Sequence, residues 1–197
     1  MKRPALVRTL LWLSICGFLS SCAEFEEAHQ AAVEAIRSAI PSWYMSGGSW
    51  GDEDVPGRPR IVVHLGEQKA YFYKGNHLVG ETVISSGKHG FSTPPGRYSV
   101  IEKDKNHVSS EYGDYVDRDN NVLKPNIDVR KDERPPGARF DGARMPYFMR
   151  LRGGYGMHAG YVPPYRASHG CIRLPERMAR HFFNAAPEGT TVIVKEH

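Results

Sequence analysis

From position 60 onward, the chain alternates short apolar runs with turns that contain glycine and proline. The apolar runs at 61–65 and 69–73 flank a polar turn at 66–68, a pattern typical of a β-hairpin. Similar runs follow at 78–79, 82–85, 97–101, 147–151, 156–158 and 190–194. Closely spaced short strands of this kind predict a mainly β domain, built as a sandwich or a partly open barrel.

Two stretches show the three- and four-residue spacing of apolar positions that indicates an amphipathic helix. The first covers residues 24–40 and ends before Pro41. The second follows Pro175, a residue type that is favoured at the first helical position. Its predicted apolar face consists of Met178, Ala179, Phe182 and Phe183. We therefore expect short helices beside the sheets.

Two polar regions interrupt this pattern. Residues 46–54 are rich in glycine, serine and acidic residues, and they predict a flexible tether. Residues 102–144 are dense in charged residues, asparagine, glycine and proline, and a structureless loop of that length is unusual inside a compact domain. We interpret 102–144 as an inserted arm or lid over a site, with a disordered insertion as the alternative.

The N-terminus has the character of a secretory signal, because three basic residues accompany an apolar stretch too short to span a bilayer comfortably. The sequence LSSC at 19–22 resembles the bacterial lipobox, which implies a diacylated Cys22 as the mature N-terminus and a firm membrane anchor. An ordinary cleaved signal is the alternative. Ala23 resembles an outer-membrane address, so we expect a lipid-anchored protein on the periplasmic face of the cell envelope.

The predicted organisation is a signal peptide at 1–21, an anchor with a short helix and tether at 22–58, and one folded domain at 59–197. The formal net charge is +4, but three of the 26 basic residues and none of the 22 acidic ones lie in the leader. The rest of the chain carries a net charge of +1. This balance argues against nucleic acid as a partner, which requires a strongly basic surface.

Three cysteines are present, and only one of them is expected as a free thiol in the mature protein. Cys16 lies in the leader and Cys22 in the lipid signal, which leaves Cys171 without a disulfide partner. An unpaired thiol in an exported protein, close to His158 and His169 in sequence, indicates a reactive nucleophile.

Such a thiol needs a neighbouring base, because only a few per cent of an ordinary cysteine is ionised at neutral pH. His158 comes from a separate strand and is the expected general base and later acid, either accepting the proton or pairing with the thiolate as a cation. We expect the Ala159 carbonyl to orient its ring and His169 to shape the site. The amides of Gly170 and Cys171 are candidate oxyanion donors, each worth about 3 kcal/mol when aligned.

Two other uses of these residues stay open. The first is a buried structural thiol beside a hydrogen-bonded histidine. The second is zinc, because His158, His169 and Cys171 would supply the three protein ligands of a catalytic zinc site. We expect no cofactor, and we interpret the remaining histidines as surface or core residues: His64, His77, His89, His107 and His181.

The residues around the cysteine carry a family resemblance. The sequences MHAG at 157–160 and SHGCIRLP at 168–175 together resemble the catalytic signature of the L,D-transpeptidases of the YkuD type. The earlier sequences SSG at 85–87 and TPPG at 93–96 match strand and turn elements of the same domain.

The resemblance implies a β-sandwich-like catalytic domain with Cys171 as nucleophile and His158 as base. Such enzymes attack the diaminoacyl carbonyl of a peptidoglycan tetrapeptide stem and release D-alanine. They pass the acyl group to an amine of another stem or of a wall-attached lipoprotein. Ala159, where many members have glycine, and a short loop between the histidine and the cysteine are departures that bear on the acceptor and the substrate.

Peptide stems are rich in carboxylates, which a guanidinium binds through two hydrogen bonds. Arg173 is therefore the first candidate for substrate binding, with a structural ion pair as the alternative. Further candidates are Ser168, Tyr161 and Arg166. The competing functions are hydrolysis at the same site and a non-catalytic wall-binding lipoprotein.

Overall fold

The computed structural model describes Ala31, Ala35 and residues 47–197. Ala31 and Ala35 are helical, in agreement with the helix predicted for 24–40. The predicted signal peptide and the predicted lipid attachment at Cys22 lie outside the described residues. No helix in the described part of the chain is long and apolar enough to cross a membrane.

Residues 47–197 form thirteen strands and one helix. In chain order they are β1 (Gly48–Trp50), β2 (Pro59–His64), β3 (Lys69–Lys74), β4 (His77–Val83), β5 (Gly96–Ser99), β6 (Glu102–Asp104), β7 (Val108–Val116), β8 (Val122–Asp128), β9 (Arg139–Arg144), β10 (Phe148–Arg152), β11 (Tyr155–Ala159), β12 (Ile172–Leu174), α1 (Glu176–Ala185) and β13 (Thr191–Lys195). The prediction of a mainly β fold is confirmed, and Ser46–His197 form one compact unit.

Two sheets and the helix share one apolar core. The six-stranded sheet has the order β1-β4-β3-β2-β13-β5, and the four-stranded sheet has the order β12-β11-β10-β6. Side chains alternate across a strand, so each central strand sends every second residue inward. The core includes Ile61, Val63, Phe72, Met149, Met157, Ile172, Leu174 and Phe182. Full burial of one such side chain contributes about 1.5–3 kcal/mol.

The predicted apolar face of the second helix is confirmed. Met178, Ala179 and Phe182 are buried in α1, and Phe183 is half-buried. Pro175 is the residue before the helix and not its first helical residue, because its ψ of 140° is extended. The helix therefore begins at Glu176, whose negative charge suits a helix N-terminus.

Residues 102–144 are ordered, so the alternative of a disordered insertion is wrong. β7, β8 and β9 form a three-stranded antiparallel sheet, which we call the inserted sheet, and β6 joins the four-stranded sheet. The inserted sheet buries few apolar residues, among them Tyr115, Val116 and Ile127. Because of its polar composition, the inserted sheet lacks the alternation of apolar and polar residues by which a strand is recognised in a sequence.

The tether predicted at 46–54 is wrong for residues 48–50. β1 pairs with β4 as an edge strand of the six-stranded sheet. The ring of Trp50 lies 5.2 Å from Phe72, 4.9 Å from His181 and 5.5 Å from Phe182 between centroids. These aromatic contacts hold the segment on the core despite its glycine-rich composition. The folded domain thus includes residues before position 59.

Candidate active site

The register of two neighbouring strands brings the predicted nucleophile and base together. β11 and β12 run parallel, with Met157 opposite Ile172 and His158 opposite Arg173. Because Met157 and Ile172 point into the core, the alternation of side chains puts His158, Arg173 and Cys171 on the opposite face. His158, Cys171 and Arg173 line one cavity of about 510 Å³.

The SSG and TPPG sequences hold the cysteine loop in place. Ser85 exchanges two backbone hydrogen bonds with Arg173, of 3.0 and 2.9 Å. The hydroxyl of Thr93 accepts from the Gly87 amide at 3.0 Å and donates to the Gly170 carbonyl at 2.7 Å. These motifs therefore serve the site by positioning its backbone.

The turn before the cysteine is closed by the Ser168 hydroxyl. Its Oγ donates to the Cys171 carbonyl at 2.5 Å and accepts from the Gly170 amide at 3.1 Å. Ser168 is 1% exposed and its hydroxyl stabilises the turn. The residue also lines the cavity, so its contact with substrate stays a prediction. Because the Gly170 amide already donates to Ser168 Oγ, it is not free to act as the predicted oxyanion donor. Gly170 itself has a φ of 114°, and a Cβ there would lie 2.7 Å from the Tyr155 ring.

His158 has the orientation and the protonation state of a base. Its Nδ1 lies 2.8 Å from the Ala159 carbonyl oxygen, as the sequence predicts. A carbonyl only accepts, so Nδ1 carries the proton and Nε2 is left as the acceptor. His158 is 5% exposed, and burial lowers its pKa to about 4 against the opposing effect of that hydrogen bond.

The thiol of Cys171 is also favoured in its neutral form. Burial raises its pKa, whereas a hydrogen bond from the Gly156 amide and the charge of Arg173 act in the opposite direction. Its Sγ donates to the Gly154 carbonyl at 3.4 Å. A raised thiol pKa beside a lowered imidazole pKa disfavours a resting thiolate–imidazolium pair. Of the two predicted modes of activation, the structure therefore favours proton acceptance by His158.

The remaining candidates for substrate contact differ in their surroundings. Arg173 is half-buried, and burial lowers its guanidinium pKa. No ion pair within the described residues involves Arg173, which removes the alternative of a structural ion pair there. Tyr161 lines the cavity and is 76% exposed. Arg166 instead pairs with Glu196 at 2.6 Å and does not line the cavity, so its prediction as a substrate contact is not supported.

His169 shapes the cavity through ring contacts. It stacks on Tyr112 of the inserted sheet with centroids 4.6 Å apart, and it meets Phe91 edge-on at 4.8 Å. Burial lowers the pKa of His169. The stacked pair joins the cysteine loop to the inserted sheet, in agreement with the site-shaping role that the sequence suggests.

The inserted sheet and the residues on either side of it in the chain form one wall of the cavity. This wall contains His107, Ser109, Tyr112, Arg144 and Met145. The interpretation of 102–144 as an arm over a site agrees with this wall. A second cavity of about 530 Å³ shares five lining residues with the first, namely Tyr112, Ala143, Arg144, His169 and Arg173.

Sequence reasoning misses part of this wall. It assigns His107 to the surface or the core, whereas the structure has His107 in the cavity with Nδ1 3.1 Å from Asp104 Oδ2. The three-residue spacing of Asp104 and His107 was the available signal. Arg144 and Tyr112 carry no comparable signal, because only the fold of the insertion brings them to the cavity.

The two other uses of the cysteine find little support. Cys171 is a free thiol that lines a cavity, which is an unusual setting for a purely structural cysteine. No group of three His, Cys, Asp or Glu side chains within residues 47–197 is placed to hold a metal ion. The zinc alternative therefore lacks a ligand set in this part of the chain.

Comparison with known proteins assigns the class. The profile of the YkuD family, the L,D-transpeptidase catalytic domain, matches residues 58–194. This match covers more than half of the chain, so the chain belongs to the L,D-transpeptidase catalytic domain family. YqjB of Bacillus subtilis, a protein named as an L,D-transpeptidase, is 26% identical over 147 residues, covering 74% of this chain and 76% of that protein.

Solved structures of L,D-transpeptidases share the fold. The enzyme from Stackebrandtia nassauensis matches with a TM-score of 0.52 at 20% identity, over 73% of this chain and 58% of that one. An L,D-transpeptidase in complex with imipenem matches with a TM-score of 0.53 at 17% identity, over 70% of this chain and 58% of that one. The chain thus spans under two thirds of these two solved chains.

Proposed function

We propose that this protein is a peptidoglycan L,D-transpeptidase. Cys171 attacks the diaminoacyl carbonyl of a tetrapeptide stem, D-alanine leaves, and the acyl group passes to an amine. The observation that carries the proposal is the strand register that sets Cys171, His158 and Arg173 on one face of a cavity. Membership of the L,D-transpeptidase family supports stem peptides as the substrate class.

The first half of the reaction starts from neutral groups. As sulfur approaches the carbonyl carbon, the thiol proton passes to His158 Nε2, which is unprotonated because Nδ1 carries the proton toward Ala159. The buried imidazolium then gives this proton to the leaving nitrogen of D-alanine, and the C–N bond breaks. A thioester on Cys171 remains for an amine to attack.

Two groups are available to stabilise negative charge. The Gly170 amide is occupied by Ser168, so we assign the oxyanion to the Cys171 amide, a donor worth about 3 kcal/mol when aligned. Arg173 makes no ion pair with the described residues, and its guanidinium is suited to bind a carboxylate of the stem.

We further propose that Cys22 is lipidated and anchors the enzyme on the periplasmic face of the cell envelope. The lipobox-like sequence LSSC at 19–22 supports this assignment. Cys22→Ala is expected to abolish metabolic labelling with an acyl-chain probe and to release the protein from the membrane fraction. Undiminished labelling of the variant contradicts the anchor.

The activity is tested by incubating the purified protein with disaccharide-tetrapeptide and separating the products. Wild type is expected to yield D-alanine together with a 3-3 cross-linked dimer, and Cys171→Ala is expected to yield neither. Free D-alanine without the dimer identifies hydrolysis, the competing reaction at the same site. If wild type releases no D-alanine, the proposed function is wrong.

A further inference from the structure

Besides His158 and His169, the cavity contains a third histidine that the mechanism above does not use. His107 lines the same cavity as Cys171 and His158. Its ring stacks on Phe148 with centroids 4.2 Å apart and an angle of 14° between the planes. Phe148 in turn packs against His158 at 6.1 Å between centroids. A single aromatic ring therefore connects His107 to the proposed base.

Asp104 fixes the orientation of the His107 imidazole. Its Oδ2 lies 3.1 Å from His107 Nδ1, and its Oδ1 accepts from the Asn106 amide at 3.0 Å. Asp104 is also paired with Phe148 in the register of β6 and β10, which anchors the turn. The hydrogen bonds from Asn106 and His107 lower the pKa of Asp104. Since a carboxylate only accepts, Nδ1 of His107 carries the proton and Nε2 is left as an acceptor.

The transfer half of the reaction needs such an acceptor. An alkyl amine with a pKa near that of lysine, about 10.4, arrives as an ammonium and has no free electron pair. It must lose one proton before it attacks the thioester and a second one as the new C–N bond forms. The pair of Cys171 and His158 takes up only one of these two protons, the one that restores the thiol.

We propose that His107, oriented by Asp104, is the base that takes the first proton from the acceptor ammonium. This role rests on the proposed function and belongs to the transfer step alone. One N–H bond of the ammonium breaks and its proton goes to His107 Nε2 and on to solvent. The freed electron pair attacks the thioester carbon, the C–S bond breaks, and the second proton passes through His158 to the Cys171 sulfur.

Both acidic and basic groups surround His107. The titratable groups that face it or share its cavity are Asp104 and Glu102 on β6, Arg150 on β10, His158 on β11, Glu111, Tyr112 and Arg144 of the inserted sheet, and Tyr161, His169, Cys171 and Arg173 around the cysteine loop. Arg150 is bonded to Glu102 at 2.6 Å, which offsets one of the positive charges. Asp104, whose pKa is lowered, lies as a carboxylate 3.1 Å from the His107 imidazole.

The test separates the two halves of the reaction in the full chain. His107→Gln keeps a polar side chain but cannot accept a proton, and His77→Gln, an exposed histidine on β4, is the matched control. Acylation is measured as D-alanine released in a single turnover without an acceptor. Transfer is measured with a stem amine and with hydroxylamine, an acceptor that is uncharged at neutral pH.

For His107→Gln we expect acylation within about twofold of wild type and transfer to the stem amine slowed by roughly 100-fold. Transfer to hydroxylamine should match wild type, and His77→Gln should behave as wild type throughout. Asp104→Asn should slow transfer to the stem amine in the same direction, with acylation unchanged.

Three results overturn this role: unchanged transfer to the stem amine, an equal loss of acylation, or a transfer defect that persists with hydroxylamine. A wild-type protein that releases no D-alanine at all overturns the proposed function itself, and the role of His107 with it. Release of D-alanine by wild type with any of the three results leaves the proposed function standing and removes His107 from the mechanism.

Discussion

At the scale of single residues, burial decides the protonation of the two reacting groups. Burial disfavours the imidazolium form of His158 and the thiolate form of Cys171. In the proposed mechanism the proton therefore moves only when a carbonyl is in place to accept the electrons of sulfur. A thiol held neutral at rest is less reactive toward small electrophiles, which suits an unpaired cysteine in an exported protein.

The lowered pKa of His158 predicts a pH-dependent stability. An unfolded histidine takes up a proton below about pH 6.5, whereas folded His158 stays neutral down to about pH 4. The free energy of unfolding should thus be highest above pH 6.5 and fall by roughly 3 kcal/mol between pH 6.5 and 4.

Urea denaturation of wild type and His158→Asn at several pH values measures this contribution. The pKa values of His169 and His181 are also lowered, and they act in the same direction in both proteins. The dependence of the unfolding free energy on pH should therefore differ between the two proteins only by the contribution of His158. An identical pH dependence of the unfolding free energy in both proteins contradicts a buried, neutral imidazole.

Arg173 and Arg166 are predicted to differ in their effect on kcat/KM. Arg173→Ala should lower kcat/KM for D-alanine release by roughly 10- to 100-fold, because a hydrogen bond to a charged group is worth about 1.5–3 kcal/mol. Arg166→Ala removes the same charge from a surface pair with Glu196 and should change kcat/KM by about twofold or less. Equal losses in both variants contradict the assignment of Arg173.

At the scale of elements, the parallel pair of β11 and β12 builds the site and the polar motifs around it hold the cysteine loop. Thr93 is the side chain that links the two motifs, through its bonds to Gly87 and Gly170. The geometry of the nucleophile therefore depends on a residue that need not touch the substrate.

Thr93→Val keeps the shape of the side chain and removes both of these hydrogen bonds. The buried groups left without partners should cost about 1–3 kcal/mol, and acylation should slow by roughly tenfold or more because the loop loses its alignment. Thr190→Val is the control, since it breaks the 2.6 Å bond to the Pro187 carbonyl away from the site. It should lower Tm with little effect on acylation, and a Thr93→Val enzyme with normal acylation contradicts the argument.

How far the sequence predicts these elements depends on what each one buries. β2, β3, β13 and α1 bury a regular apolar face, and their positions follow from the pattern alone. The inserted sheet lacks such a face, and β1 is marked by the single aromatic Trp50. The sequence singles out Cys171 and His158 because an unpaired thiol close to a histidine is rare. It does not single out His107, because only the packing of the turn after β6 against β10 brings that residue to the cavity.

At the scale of the whole molecule, the folded unit extends beyond the N-terminal edge of the family match, and it also contains the inserted sheet within that match. β1 lies before residue 58, where the match begins, yet Trp50 packs on Phe72 and Phe182 of the core. The inserted sheet contributes a wall of the cavity. Both additions are therefore expected to matter for the stability or the activity of the same unit.

Shortening the chain tests the first addition. A protein that begins at Gly47 retains β1, and one that begins at Arg58 lacks the Trp50 side chain. The shorter protein should be less stable by roughly 2–4 kcal/mol, in the range of large-to-small substitutions in a core. Trp50→Ala in the longer protein should reproduce most of this loss, and equal Tm values for all three proteins contradict the role of β1.

The most direct test of the account is the intact mass of the protein, quenched shortly after mixing with a tetrapeptide stem. The proposed mechanism predicts a mass gain equal to the stem without its D-alanine, located on Cys171 by peptide mapping. The gain should be absent in Cys171→Ala and strongly slowed in His158→Gln. An unmodified wild-type protein that still releases D-alanine, or an equal mass gain in Cys171→Ala, contradicts a thioester formed on this cysteine.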